Sequence, residues 1–396
     1  MRRYLFLNIA AAGHVNPTLA IVHELHDRGE DVRYLLPEDW RPRVEDAGAT
    51  FVPLTDAGRL ERSTRHASLS PDQQIALMPY AMATQAARVV PALVSLVSTV
   101  APDCLVVNTL DLCARLVARI TGIPAVGLRP FHAPLSHATD TAATADPFSS
   151  FRAHADRTLG TFMESQGLAA MSVSALRADA ENPTLVFLPR AFQVGQEAFD
   201  DRFAFVGPSL LAPRALPADV SLQERSTRAF ISLGTLRNDE PDFYRLCLAT
   251  FGPQWQVFMS VGTTVDVHAL GPIPEHFVVR PHLPQTSLLE HVDVFVTHGG
   301  LNSVMESVRA GVPMVVLPGT REQQLTAARV AERGLGVCET LNGLTAEKLG
   351  ALASAVSSDA SITRELTVMQ GHLRDSGGYT RAADLVMRAA ALDARP

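Results

Sequence analysis

Short apolar runs alternate with stretches of helical periodicity along nearly the whole chain. Residues 5–9 are an apolar run, residues 10–17 are small and turn-forming, and Leu19, Val22 and Leu25 then share one face of a helix over 18–28. Pro17 and Thr18 suit the start of that helix and Gly29 its end, after which 32–36 resumes as a strand. This spacing predicts a βαβ opening with a right-handed crossover above a parallel sheet. The pattern recurs: a helix over about 72–100, a strand at 104–107, a helix over 111–121 stopped by Gly122-Ile123-Pro124, and a strand at 125–128. Residues 136–170 are irregular in pattern and rich in Ala, Thr and Ser, as in a substrate wall or a plain surface loop and helix. Phe205-Val206-Gly207-Pro208 closes the first series, and 211–223, rich in Pro and Ala, reads as a linker. A second series has strands at 229–233, 256–260, 277–280, 292–297 and 314–317, and helices near 243–251, 302–310 and 323–333. Helices fill the tail from 361 to 391.

The chain has 396 residues, which suits two cores better than one. The expected class is α/β, with two Rossmann-like, doubly wound lobes facing a central cleft, and ligands at the carboxyl ends of the strands. The expected domains are 1–208, a linker at 209–227, 228–380, and a C-terminal helix over 381–396 packing back on the first domain. A formal net charge of −7 argues against a nucleic-acid partner. Cys104, Cys113, Cys247 and Cys338 are scattered, so they read as buried free thiols in a reducing cytoplasm, neither zinc ligands nor a disulfide framework. The N-terminal apolar run is short and leads into Gly13-His14-Val15-Asn16-Pro17, which reads as a first strand and not as a signal peptide. No stretch is expected to span a bilayer.

Five clusters carry candidate chemistry. His14 follows the first strand. It either takes a proton from a hydroxyl nucleophile or packs on the helix after it. The block Thr297-His298-Gly299-Gly300-Leu301-Asn302-Ser303-Val304-Met305-Glu306 runs from an apolar strand through glycines into a helix capped by Asn302 or Ser303. It builds an anion site: bare backbone amides, the positive end of a helix and a histidine donor, with Glu306 placed to hold ribose hydroxyls. Ser232-Leu233-Gly234-Thr235 offers further donors to the same phosphates. His282-Leu283-Pro284-Gln285 is either a turn that holds a flat base or a surface turn. Glu322 and Gln323, after Pro318-Gly319-Thr320, either hydrogen-bond a sugar or line a surface turn. No Asp-x-Asp occurs, so no metal is expected at the diphosphate. No Gly-x-Gly-x-x-Gly follows the first strand, which disfavours a dinucleotide dehydrogenase.

With these blocks the chain resembles the UDP-glycosyltransferase superfamily, and within it the bacterial natural-product enzymes of the macrolide, enediyne and glycopeptide type. The resemblance runs from the Gly-His-x-x-Pro start to Gly377-Gly378-Tyr379-Thr380-Arg381-Ala382-Ala383-Asp384. It implies the GT-B fold, inversion at the anomeric carbon, no cofactor and no metal. It implies a nucleotide-diphosphate sugar as donor and a hydrophobic small molecule as acceptor, held near 77–88 and 131–161, with a homodimer compatible. It also implies His14 as general base, His298, Gly300 and Ser303 as diphosphate grip, Glu306 at the ribose, and Glu322 and Gln323 at the donor sugar. Gln285 then ends the turn against the base. Three positions depart from the pattern: His282 stands for a tryptophan, Thr326 for an asparagine, and Asn108 for the aspartate that orients the base. Asp111, three residues on, either supplies the missing carboxylate or caps its helix. Alternative readings are a UDP-sugar 2-epimerase of the same fold, or a catalytically silent partner protein.

Overall fold

In a computed structural model the chain divides into two compact units, Met1–Ser209 with Ser376–Pro396, and Leu210–Asp375. The structure describes residues 1–55, 69–134, 147–179, 181, 183–224, 227–234 and 238–392.

The first unit opens with β1 (Arg3–Leu7), α1 (Ala12–Asp27), β2 (Asp31–Leu36), α2 (Arg41–Asp46), β3 (Thr50–Pro53) and α3 (Pro71–Val100). It continues with β4 (Cys104–Asn108), α4 (Leu112–Thr121), β5 (Ala125–Arg129), α5 (Ser149–Ser165), α6 (Val173–Ala178), β6 (Thr184–Val186) and β7 (Phe203–Phe205). Its strands form one parallel sheet in the order β3-β2-β1-β4-β5-β6-β7. Helices cover both faces, so β4 is buried at every position and reads as an unbroken apolar run until Asn108. The winding reverses between β1 and β4, where ligands collect in such sheets.

The second unit contains β8 (Thr227–Ser232), α7 (Pro241–Thr250), β9 (Trp255–Ser260), β10 (Phe277–Arg280), α8 (Gln285–Leu288) and β11 (Val294–Thr297). After these come α9 (Leu301–Ala310), β12 (Met314–Val316), α10 (Arg321–Glu332), β13 (Gly336–Cys338), α11 (Ala346–Ser358) and α12 (Ala360–Ser376). Its sheet order, β10-β9-β8-β11-β12-β13, reverses between β8 and β11. The last helix, α13 (Gly378–Leu392), belongs to the first unit. Its Ala382, Ala383 and Val386 are buried in one core with Ile21, Val22 and Leu25 of α1, and Asp384 pairs with Arg28 at 2.5 Å.

Several expectations need correction. Residues 210–227 group with the second unit, not with a separate linker, and the return to the first unit falls at Ser376 and not at 381. β1 ends at Leu7, and α1 begins at Ala12, so residues 12–17 are helical and Pro17 lies inside the helix. Pro17 lies past the first turn, where it withholds the amide that would otherwise bond the carbonyl of residue 13. Part of 136–170 is the ordered helix α5, whose Ala155, Leu159, Phe162 and Met163 form a buried stripe; residues 135–146 lie outside the described residues. The stretch Ala76–Val100 of α3, with mean hydropathy 1.3, is long and apolar enough to cross a membrane by length and composition. In the fold it is a core helix, with Ala83, Ala86, Val90, Leu93 and Val97 buried in one cluster with residues of α4 and α5. Cys338 is exposed, whereas the other three cysteines are buried.

Candidate active site

In the first unit, β1 and β4 are registered with Leu7 opposite Val107, so Asn8 and Asn108 emerge side by side at the carboxyl ends. Asn108 is wholly buried. Its Nδ2 lies 2.8 Å from Asn8 Oδ1 and 2.8 Å from His14 Nδ1, and its Oδ1 accepts from the Leu110 N–H at 2.9 Å. His14 sits in the first turn of α1, not in a loop before it. Its ring packs against Phe131 in a T-shaped contact, centroids 4.9 Å apart. Asn8 Nδ2 donates to the His14 main-chain carbonyl at 3.0 Å, which ties the helix start to the strand end. Burial alone pulls the His14 pKa down to about 4; no carboxylate contributes. Asp111 is the N-cap of α4 and accepts from the Ala114 N–H at 3.1 Å. It therefore serves the helix, not His14. Burial raises its pKa.

In the second unit, β11 and β8 are registered with Thr297 opposite Ser232, which sets His298 beside Leu233 and Gly234. The His298 ring fills a slot between two glycines. A Cβ on Gly234 would stand 2.5 Å from its Cε1, and one on Gly300 would stand 2.5 Å from its Nε2. Gly234 also holds φ at +78°, which L side chains disfavour. Gly299 makes the turn out of the strand. The N-cap of α9 is Gly300, which has no side chain to cap with; Asn302 and Ser303 lie in the first turn instead. The leading amides of α9 thus receive no cap from a Gly300 side chain and lie at the positive end of the helix. Burial lowers the His298 pKa to about 4, against an opposing hydrogen bond from the ring to the Ser232 backbone, so the ring is neutral near pH 7.

One turn further along α9, Glu306 Oε2 accepts from Gln285 Nε2 at 2.7 Å, and the same nitrogen donates to Ser303 Oγ at 3.0 Å. Burial pushes the Glu306 pKa up to about 7, opposed by Gln285 and by the charge of Arg309. α8, which starts at Gln285 after Pro284, thereby joins Leu283 and the exposed His282 to the same edge. Ser232 Oγ accepts from the Gly234 N–H at 3.3 Å. Thr235 lies outside the described residues.

A cavity of about 560 Å³ is lined by His298, Leu317, Pro318, Gly319 and Gln323, and further out by Glu240 and Phe243. Gln323 stands in the first turn of α10. Its Oε1 accepts from the N–H groups of Gly319 and Thr320 at 2.8 and 3.1 Å, closing a capping box with Thr320. Its Nε2 has no hydrogen-bond partner among the described residues and is left to donate. Glu322, beside it, is exposed, and Thr326 is buried with its hydroxyl on the Glu322 carbonyl at 3.1 Å. Asn8 escaped the sequence analysis. The signal was a lone polar residue ending an apolar strand.

Much of the second unit's sequence matches a known family. The family described as UDP-glucoronosyl and UDP-glucosyl transferase matches residues 264–370. The NDP-glycosyltransferase YjiC of Bacillus subtilis (strain 168) is 36% identical over 393 residues, 97% of this chain and 96% of that protein. The chain belongs to the UDP-glycosyltransferase family. The demethyllactenocin mycarosyltransferase of Streptomyces fradiae is 32% identical, over 98% of this chain and 86% of its own. Among solved structures, the calicheamicin glycosyltransferase CalG4 superposes with a TM-score of 0.85 at 28% identity, covering 100% of this chain and 99% of that one. The glycosyltransferase of kitacinnamycin gives 0.86 at 28% identity, covering 98% of each. This glycosyltransferase therefore has the GT-B fold, is of the natural-product type and uses a nucleotide-sugar donor.

Proposed function

We propose that the enzyme moves a sugar from a UDP- or TDP-sugar to an oxygen of a hydrophobic small molecule, with inversion and without a metal ion or other cofactor. The observation that carries this is the His298 slot, with its glycine-capped helix. In the transition state the glycosidic bond to the diphosphate stretches and charge builds on the leaving oxygens. The leading amides of α9 and a neutral His298 donor meet that charge, and they are held in place before reaction. Glu306 and Gln285, already paired, are suited to ribose hydroxyls and to the base edge. Gln323 is anchored through its carbonyl oxygen, so its amide N–H groups are aimed by the capping box toward a sugar hydroxyl, with the Glu322 carboxylate as the matching acceptor.

His14 and Phe131 mark where the acceptor's nucleophilic oxygen belongs in the first unit, at the reversal of its sheet. The surrounding segments, 77–88 and the described parts of 131–161, carry few charges and suit an aromatic or polyketide surface. The test is turnover of α-configured UDP-glucose and TDP-glucose with a phenolic acceptor in excess EDTA, with the product anomer assigned by NMR. A β-glycoside formed at full rate is expected. An α-glycoside, or a rate that returns only with magnesium, overturns the proposal.

A further inference from the structure

A general base at His14 needs its Nε2 lone pair free, so its proton must sit on Nδ1 and face a hydrogen-bond acceptor. The network around Asn108 offers the opposite. Thr18 Oγ1 donates to the Val15 carbonyl at 2.7 Å, so the Tyr34 hydroxyl donates to Thr18 at 2.6 Å and must itself accept from Asn8 Nδ2 at 2.7 Å. The same Asn8 nitrogen meets the His14 carbonyl, which can only accept. Asn8 Oδ1 therefore faces Asn108, which must answer with an N–H. The Leu110 N–H requires an oxygen as well, and Asn108 Oδ1 supplies it. Main-chain groups thus fix both amides, and turning Asn108 over would set donor against donor at Leu110. The remaining Asn108 Nδ2–H points at His14 Nδ1, 2.8 Å away. His14 Nδ1 is then the acceptor, and a neutral ring carries its proton on Nε2.

We infer that His14 is an Nε2–H hydrogen-bond donor, not a general base, and that the enzyme takes acceptors ionised before attack: acidic phenols, enols or carboxylic acids. This rests on the placement of His14 at the acceptor oxygen. The acceptor loses its proton to solvent. Its oxyanion is held by His14 Nε2–H and forms the new bond to the anomeric carbon. The bond from that carbon to the diphosphate breaks, its electron pair leaving with the diphosphate, and no proton passes through His14. Among the described residues no charged group contributes to the ring's titration. Phe131 presents an apolar ring, α1 and the ends of β1 and β4 present amides, and Asp111 on α4 is held by Ala114. Burial keeps the imidazole neutral near pH 7. In a serine protease triad, replacing the orienting aspartate by asparagine costs roughly 10⁴-fold, chiefly through this wrong tautomer; an ionised acceptor avoids that cost.

Two measurements on the native chain test this. The ¹⁵N–¹H spectrum of selectively labelled protein at pH 7 should show the His14 proton on Nε2; a proton on Nδ1 overturns the inference. Turnover is then measured with one UDP- or TDP-glucose donor, a series of phenols made more acidic by nitro and halogen groups, and benzyl alcohol. The pH at half-maximal rate should follow the acceptor's own ionisation. Benzyl alcohol should be slower than 4-nitrophenol by at least ~10²-fold, the low end of what acid–base assistance contributes. A pH midpoint that stays fixed across the series, or an alcohol within tenfold of the phenol, overturns the inference. Asn108→Asp should restore the other tautomer and raise the alcohol-to-phenol rate ratio by ~10²-fold or more; an unchanged ratio in the folded variant counts against the inference. His14→Ala separates the two claims. If it leaves phenol and alcohol rates alike untouched, His14 is not at the acceptor. If it lowers both while they are equal in the wild type, only the donor assignment fails.

Discussion

Gly300→Ala isolates the steric part of the proposed phosphate grip. Gly300 has φ −60° and ψ 134°, a conformation any L residue adopts, so the substitution adds no backbone strain. What it adds is one methyl group, 2.5 Å from His298 Nε2. Ordinary contact begins about 1 Å farther out, and a Cβ on Gly234 would likewise stand within 2.5 Å of the same ring. The ring must therefore tilt or the loop must open by roughly 1 Å, a displacement that can cost about 10²-fold at a reacting centre. Overpacking of this kind costs about 1–3 kcal/mol, and for a unit of this size each kcal/mol is worth roughly 2–4 °C of thermal midpoint. Donor kcat/KM should fall by ~10²-fold, and a nucleoside diphosphate should bind more weakly by calorimetry. The midpoint should fall by about 2–12 °C. Gly234→Ala should be less stable still, because φ +78° adds its own cost of about 1–2 kcal/mol. A Gly300→Ala enzyme with kcat/KM within threefold and an unmoved midpoint would show that the slot does not confine the ring or that His298 does not touch the phosphates.

Three further outcomes are expected. Glu306 has its pKa raised to about 7 from 4.5, so its contribution is present below pH 4.5 and is lost as pH rises through 7; the deficit at pH 8 is of order 3 kcal/mol. Glu306→Gln should remove that loss, so the ligand-free variant should be more stable than wild type at pH 8 but not at pH 4.5 in urea titrations; parallel curves at both pH values would contradict it. Asp111→Ala deletes an N-cap and should cost about 1 kcal/mol of stability with kcat within a few-fold; a 10²-fold loss of kcat in the folded variant would return Asp111 to the chemistry. Gln323→Glu keeps the capping-box oxygens but replaces the outward amide with an acceptor, so donor KM should rise while the thermal midpoint moves little; an unchanged KM would remove Gln323 from the sugar.

The parallel series was legible because each strand is an apolar run closed by Gly, Pro or a polar residue, and because the segments between carry helical spacing. The His298 block was legible for a similar reason: its glycines, helix start and carboxylate are adjacent in sequence, and the structure keeps them adjacent. What escaped depends on distant partners or on competition. Pro17 marks a helix start in most contexts, yet here the helix begins one turn earlier, at Ala12. Asp111 fitted two roles by spacing alone, and the Ala114 amide decided between them. The direction of the Asn108 amide rests on Asn8, a hundred residues away, and on two main-chain groups that no local pattern announces.

Synthesis on the ribosome meets an ordering problem set by α13. The groove of α1 built from Ile21, Val22 and Leu25 is covered by a helix that begins only at Gly378. Roughly 350 residues separate the two, which at typical elongation speeds is about 20–70 s of translation. By the end of that interval the later-made second unit already has its whole chain, whereas the earlier-made one still waits with an apolar furrow open to chaperones or to a neighbouring nascent chain. Nonsense or frameshift truncation near the 3′ end should therefore injure the half of the molecule that was translated first.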